Sequence, residues 1–363
     1  MTNNEKYIIL SDGTIYDGIG FGSNQEVLGE IVFNTSMTGY QEMLTDPSYR
    51  GQILVSTYPM IGNYGIDSNF SESKKIQVKS YVVRDLCDYP FHFSNNKDLN
   101  IFLKENKVPG IHSVDTRSLT RKIRKFGSKM AMITSNPDIN IALKKINNFG
   151  SYEDNNYVDQ VSVKSIETFQ AKQCYMKIAL IDFGVKKNII RILNSRGCDV
   201  EVYPWNFDFN DLDLNKFDGI VMSPGPGDPK ILLNDIKGIK KSIENIPTLG
   251  ICLGHQIIAH IYGGETFKLL FGHRGGNQPV KEIYSGRVYP TSQNHGYAVS
   301  DKNFPSELEI THININDNTV SGLKHRERPI ISIQYHSEAC PGPVDSEYIF
   351  DNFIELIKGK NEK

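Results

Sequence analysis

From Lys177 onward, short unbroken apolar runs alternate with stretches whose apolar residues recur at helical spacing, and this alternation constrains the possible folds more than any other feature. Residues 178–183 form the first run; Ile189, Ile190 and Leu193 then fall on one helical face, which Gly197 closes. The apolar pattern repeats at 200–203, 219–222 and 248–251, with Ile236, Ile239 and Ile243 on an intervening helix. Residues 330–335 supply a last strand, and a helix over about 346–358 finishes the pattern. Buried strands between amphipathic helices predict an α/β domain with a doubly wound, mainly parallel sheet. Ligands bind such sheets beyond the carboxyl ends of the strands, so the residues after Met222 and Ile251 should share one rim.

Cys252 lies on that rim, in P-T-L-G-I-C-L-G-H-Q. Strand-like residues precede it, and Ile257, Ile258 and Ile261 follow at helical spacing, so the cysteine falls on a sharp strand-to-helix turn between Gly250 and Gly254. This is the arrangement of a nucleophile elbow with sulfur in place of oxygen. A helix start also favours thiolate over thiol, through its unpaired N–H groups and positive dipole end. Most free cysteines are small buried hydrophobes, so the turn by itself leaves both readings open.

The preceding strand ends in S-P-G-P-G-D-P, residues 223–229. Gly225 and Gly227 can present backbone N–H groups with no side chain in the way, and Leu253 N–H sits at the helix start; such donors suit the oxyanion of acyl transfer. A thiol nucleophile also needs a base, and His336 is the best placed of nine histidines because it follows the last strand with Glu338 two residues on. In an extended chain those two side chains point the same way, and the carboxylate then orients the imidazole. Residues 293–297, Q-N-H-G-Y, offer amide and backbone groups for an amino-acid head group.

Length and charge bound the alternatives. At 363 residues the chain suggests two or three domains. A net charge of −2 gives no bulk basic surface, so nucleic acid is not an expected partner, and no run reaches the length of a membrane span. Residues 7–10 are too few apolar residues for a secretory h-region. The five cysteines contain no C-x-x-C pair and cannot all pair, which argues against a zinc site and a disulfide framework. The expectation is a cytoplasmic protein with no metal of its own.

The first half reads as mixed α+β. Strand-like residues 7–10 and 14–16 flank Asp12-Gly13, a hairpin signal, and 52–57 and 76–83 read as further strands. Helices are expected over 98–105 and 116–126, the second capped by Asp115 and stopped by Gly127. That second helix carries Arg117, Arg121, Lys122, Arg124 and Lys125; a solvated face is favoured over a phosphate or nucleic-acid contact. The domain boundary is placed so that residues 1–172 precede a catalytic domain of 176–363.

G-I-C-L-G-H-Q, S-P-G-P-G-D-P and the H-x-E pair resemble the class I glutamine amidotransferases, with Cys252, His336 and Glu338 matching their triad. F-N-T-S-M-T-G-Y-Q-E from Phe33, T-D-P-S-Y from Thr45, D-T-R-x-L-T-R from Asp115, G-H-x-G-G-N-x-P-V from Gly272 and Q-N-H-G-Y from Gln293 resemble, within that class, the small subunit of carbamoyl-phosphate synthetase. The resemblance implies that Cys252 attacks the side-chain amide of L-glutamine, releasing ammonia and leaving a γ-glutamyl thioester that water hydrolyses. Ser48, Gly225, Gly227, Leu253, Gln256, Asn294, Gly296 and Tyr297 match the family's glutamine-binding positions. It further implies no cofactor in this chain, and a large-subunit partner that uses ATP and Mg2+ to make carbamoyl phosphate for pyrimidine or arginine synthesis, or both. Pro224, Tyr335 and Ser337 depart from the family's usual Asn, Gly and Pro, and Cys340 from its Ser. A glutaminase serving another synthetase would need only the second half of the chain, and a silent regulatory partner would not need the triad.

Overall fold

The computed structural model describes residues 4–361, and by internal contacts it divides into two units. One unit runs through Asn155 and takes in Leu270–Gly275; the other holds Asn156–Leu269 and the chain from Gly276 on.

The first unit carries β1 (Glu5–Leu10), β2 (Ile15–Gly22), β3 (Val27–Asn34), β4 (Gln52–Ser56), β5 (Met60–Ile61), β6 (Ser80–Val82), β7 (Asp85–Leu86), β8 (Pro109–His112) and β9 (Lys129–Thr134). Its helices are α1 (Tyr40–Thr45), α2 (Leu99–Glu105), α3 (Thr116–Phe126) and α4 (Ile139–Phe149). Among the described residues seven strands close a barrel in the order β1-β2-β8-β6-β4-β3-β9, while β5 and β7 form a separate ribbon. The Asp12-Gly13 turn joins β1 to β2 as a hairpin, with Gly13 at φ 79 where a side chain would be strained. Asp98, Asp115 and Asp138 cap α2, α3 and α4, each accepting a backbone N–H of the first turn.

Two expectations change here. The strand expected over 76–83 shrinks to Ser80–Val82. Ile76 and Val78 are buried all the same, in irregular backbone whose neighbouring N–H groups, on Gln77 and Lys79, go to the carbonyls of Leu44 and Gln52. The chain divides at Asn155 rather than near 172, because residues 156–169 already build the second unit: Val158 is in its core, and the Val163 N–H bonds Asp182 Oδ2 at 2.7 Å.

The second unit carries β10 (Glu167–Phe169), β11 (Met176–Asp182), β12 (Cys198–Pro204), β13 (Gly219–Met222), β14 (Thr248–Ile251), β15 (Thr266–Glu282, apart from Leu270–Gly275, which belongs to the first unit), β16 (Val288–Val299), β17 (Leu308–Asn314), β18 (Val320–His325) and β19 (Ile330–Ile333). Its helices are α5 (Lys187–Ser195), α6 (Ile239–Asn245), α7 (Leu253–Ile261) and α8 (Tyr348–Asn361). The strands form one sheet in the order β10-β12-β11-β13-β14-β19-β18-β17-β15-β16. Residues of α6 and α7 (Ile239, Ile243, Ile257, Ile258) fill the core on one face, and residues of α5 and α8 (Ile189, Leu193, Phe350, Phe353) fill it on the other. Burying one such side chain contributes about 1.5–3 kcal/mol, which is what holds each helix to the sheet.

"Mainly parallel" describes only the centre of this sheet. Strands β12, β11, β13, β14 and β19 run parallel, but β18 pairs antiparallel to β19, β17 to β18, β15 to β17, and β10 to β12. The antiparallel half is half-polar along its length, so it carries no unbroken apolar run to announce it. Among the described residues no helix is long and apolar enough to cross a membrane.

Candidate active site

Parallel pairing of β13 with β14 brings the ends of both strands to one rim, as the alternation implied. Cys252 follows β14 with φ 52 and ψ −101, outside the regions open to side chains, and it is the N-cap of α7. Such backbone costs about 1–3 kcal/mol and persists only where the surroundings impose it. Here Cys252 N–H donates to the Ile333 carbonyl at 2.8 Å, and Gly254 N–H to the Ser223 carbonyl at 3.2 Å. Gly250 and Gly254 flank the cysteine. Neither is at positive φ; the strain sits on the cysteine itself, and the glycines allow close packing. A Cβ on Gly250 would lie 2.5 Å from Ile258 Cδ1, and one on Gly254 would lie 2.3 Å from the Met222 carbonyl oxygen.

The candidate base, His336, follows the neighbouring strand. His336 lies just past β19, where its N–H donates to the Ser292 carbonyl at 2.8 Å. Glu338 sits in a turn rather than in extended chain, yet its Oε1 lies 2.6 Å from His336 Nδ1. Nε2 makes no hydrogen bond among the described residues and is the ring atom left to exchange a proton. Two other histidines near the rim are excluded as the base. Burial pushes His255 down to about 3, with its Nδ1 2.9 Å from Ser332 Oγ, while both His295 nitrogens are taken by Tyr297 O and Gln293 Oε1.

A buried lysine joins the His336–Glu338 pair. Lys186 Nζ lies 2.8 Å from the same Glu338 Oε1, and both side chains are nearly out of solvent, at 8% and 0% exposure. Burial alone would raise Glu338, but Lys186 first and His336 second hold it well below the usual carboxylate range. Burial and Lys186 both oppose a charge on His336, yet Glu338 and the Cys252 sulfur together lift it above the usual imidazole value. Removing the cation in Lys186→Met should therefore raise the Glu338 pKa. The acid limb of the pH profile of glutaminase kcat/KM should move to higher pH, and an unmoved limb would exclude this electrostatic role.

Gly225 and Gly227 lie in the loop after β13, as expected for the rim. A Cβ on Gly225 would sit 2.3 Å from the Phe183 carbonyl oxygen and 2.8 Å from Leu253 Cδ2, so only glycine lets this loop lie against the helix start. Gly227 stands at φ 91, and a Cβ built there would meet nothing within 4 Å beyond its chain neighbours. Asn294, Gly296 and Tyr297 lie on β16; Cys252 Sγ approaches the Asn294 carbonyl at 3.9 Å. Gln256, from α7, donates to the Tyr297 carbonyl at 2.8 Å and to Gln334 Oε1 at 3.0 Å. Ser48 belongs to the first unit, where it is buried in the turn Pro47–Tyr49 and its N–H donates to Asp46 Oδ1 at 2.9 Å.

Three residues at this site were missed in the sequence. Lys186 and Asn188 follow β11 on the same carboxyl rim, and Asn188 Nδ2 donates to the Glu338 carbonyl at 2.7 Å. Gln334 Nε2 reaches Cys252 Sγ at 3.6 Å. The signal was available: D-F-G-V-K-K-N ends the first strand of a doubly wound sheet, where polar residues are candidates by position. Of the four departures, Tyr335 is fully buried, with its hydroxyl 3.0 Å from that of Tyr289, which is 2.9 Å from that of Tyr348. Ser337 is also buried, and its Oγ has no partner among the described residues. Pro224 is buried and accepts from Ser223 Oγ at 2.8 Å, while Cys340 is partly buried.

A strained thiol facing an imidazole that a buried carboxylate keeps charged is suited to breaking an amide by acyl transfer, and on a doubly wound sheet this combination marks the class I glutamine amidotransferases. The family model for class-I glutamine amidotransferase matches residues 179–356, and that for the carbamoyl-phosphate synthase small chain, CPSase domain, matches residues 8–133. The carbamoyl phosphate synthase small chain of Clostridium perfringens is 47% identical over 96% of this chain and 98% of its own length. That of Staphylococcus haemolyticus is 48% identical over 99% of this chain and 97% of its own. The pyrimidine-specific small chain of Bacillus subtilis is 46% identical over 98% and 96%. The chain belongs to the carbamoyl-phosphate synthase small-chain family.

Proposed function

We propose that this chain is the glutaminase subunit of a carbamoyl-phosphate synthase, and that it hydrolyses glutamine at Cys252 and delivers the ammonia to a separate large chain. The observation that carries the reading is the positive-φ Cys252 on the same rim as the 2.6 Å His336–Glu338 pair, in a chain of this family. In the proposed reaction the Cys252 thiolate adds to the side-chain amide carbon of glutamine. His336 gives its Nε2 proton to the departing nitrogen, the C–N bond breaks, and ammonia leaves a γ-glutamyl thioester. Neutral His336 then takes a proton from water, which attacks the thioester; glutamate leaves and the thiolate is restored.

Leu253 and Gly225 N–H groups are assigned to the oxyanion, and Gly227, Asn294, Gly296 and Tyr297 to the amino-acid head group. Gln256 is assigned to glutamine as well, with its Nε2 bonded to the Tyr297 carbonyl and Gln334 Oε1. The large chain makes carbamoyl phosphate from bicarbonate and two ATP; this chain carries no P-loop G-x-x-x-x-G-K-[ST]. The test is to assay the purified chain alone. It should hydrolyse glutamine slowly, yield a γ-glutamyl adduct on Cys252 by mass spectrometry after rapid quenching, and form no carbamoyl phosphate from bicarbonate, ATP and ammonia. Carbamoyl phosphate from this chain alone would overturn the assignment.

A further inference from the structure

The first unit contains none of the triad, and its most unusual surface serves nothing described so far. Helix α3 has five cations and no acid in eleven residues, and its buried side is Thr116, Leu119 and Ile123. Arg117, Arg121, Arg124 and Lys125 are exposed, and none has an acidic partner among the described residues. Phe126, 53% exposed, ends the helix with Lys122 and Lys125 at 5.6 and 5.0 Å from its ring. A net charge of −2 for the whole chain makes this one-sign face a local feature, not a reflection of composition.

A second feature emerges beside it. The loop after β6 and β7 exposes Tyr89, Phe91 and Phe93 at 91, 94 and 96%. It is not a loose segment: Phe91 N–H donates to the Asn63 carbonyl at 2.9 Å, Asn95 N–H to His92 at 3.1 Å, and Asn96 N–H to Ile66 at 2.9 Å. Strands β6 and β8 are parallel neighbours, so the chain that leaves β6 toward this loop and the chain that leaves β8 toward α3 start from the same end of the barrel. Ser113, three residues before α3, donates its N–H to the carbonyl of Arg84, between β6 and β7, at 2.7 Å.

We propose that the Tyr89–Phe91–Phe93 loop and the cationic face of α3 together form the surface on which the large, ATP-using chain docks, the aromatics entering apolar pockets and the arginines meeting an acidic surface. This rests on the functional reading above. Three fully buried aromatics supply about 450–750 Å², which approaches the ~800 Å² per partner of a stable interface before the helix is added. Aromatic and Arg side chains are also the residues that anchor interfaces. A second copy of this chain fits poorly, because a two-fold contact would set cations against cations.

The test titrates the purified large chain against the full wild-type chain, Arg117→Glu/Arg121→Glu and Phe91→Ser/Phe93→Ser, at low and high salt. Each variant should bind at least about tenfold more weakly, and the charge-reversal variant should lose most of the salt dependence that the wild type shows. Glutamine hydrolysis by the isolated variants should stay within about twofold of wild type, since the substitutions are on the surface of the unit that contains none of the triad. No binding by the wild-type chain would overturn the functional reading. Binding equal to wild type by both variants would overturn the surface alone, as would loss in the variants of self-association or of binding to a single-stranded oligonucleotide with the large chain still held.

Discussion

Cys252→Ala is expected to abolish glutamine-dependent carbamoyl phosphate synthesis by the assembled enzyme, by on the order of 10⁴-fold or more, while synthesis from an ammonium salt persists. Alanine keeps the Cβ and so the same backbone strain at φ 52, and it leaves the Gly250 and Gly254 contacts that seat α7 on the sheet untouched. What it removes is the sulfur that Gln334 Nε2 approaches at 3.6 Å. Ammonia in neutral water is mostly protonated, so the ammonium control belongs at a pH where some free base exists. A mutant complex that keeps its glutamine-dependent rate would show that Cys252 is not the nucleophile.

The second large effect separates base from orienting group. His336→Asn should lose on the order of 10³–10⁴ in glutaminase kcat, because it removes the imidazole that passes the proton in the proposed reaction. Glu338→Gln should lose less, since the imidazole survives; equal losses would argue against separate roles. It should also destabilise the fold by about 3–5 kcal/mol, because the buried Lys186, only 8% exposed, loses the carboxylate it pairs with at 2.8 Å. Adding Lys186→Met to Glu338→Gln should recover much of that stability in urea unfolding without recovering the rate. If the double variant is no more stable than Glu338→Gln, the buried ion pair is not what Glu338→Gln breaks.

The pH dependence of stability follows from the same pair. Glu338 has a lowered folded-state pKa, so its contribution is complete above its ordinary value of 4.5 and is lost as the pH falls through the lowered one. His336 is raised, so its contribution is complete below 6.5 and is lost as the pH rises through the raised value. The window in which both act in full lies between those two ordinary values.

The sequence by itself determined the central sheet and the place of Cys252 at the turn that follows one of its strands. Unbroken apolar runs can be buried only in strands covered on both faces, and parallel strands put the residues after 222 and 251 on one rim. His336 and Glu338 were legible as a pair two residues apart after such a strand, although Glu338 reaches the imidazole from a turn and not from extended chain. The barrel of the first unit was not legible, because its closure depends on pairings such as β1 with β9 and β2 with β8, between residues about 100 positions apart that no local pattern encodes. Nor was the antiparallel half of the second sheet, whose half-polar strands lack a continuous run. Only the tertiary structure decided that the backbone strain sits on Cys252 rather than on its glycines, and that Lys186 closes on Glu338 from 152 residues away. Both follow from packing: a close approach of helix to strand leaves no room for a Cβ beside the cysteine, and a buried carboxylate stays ionised only where a cation is folded against it.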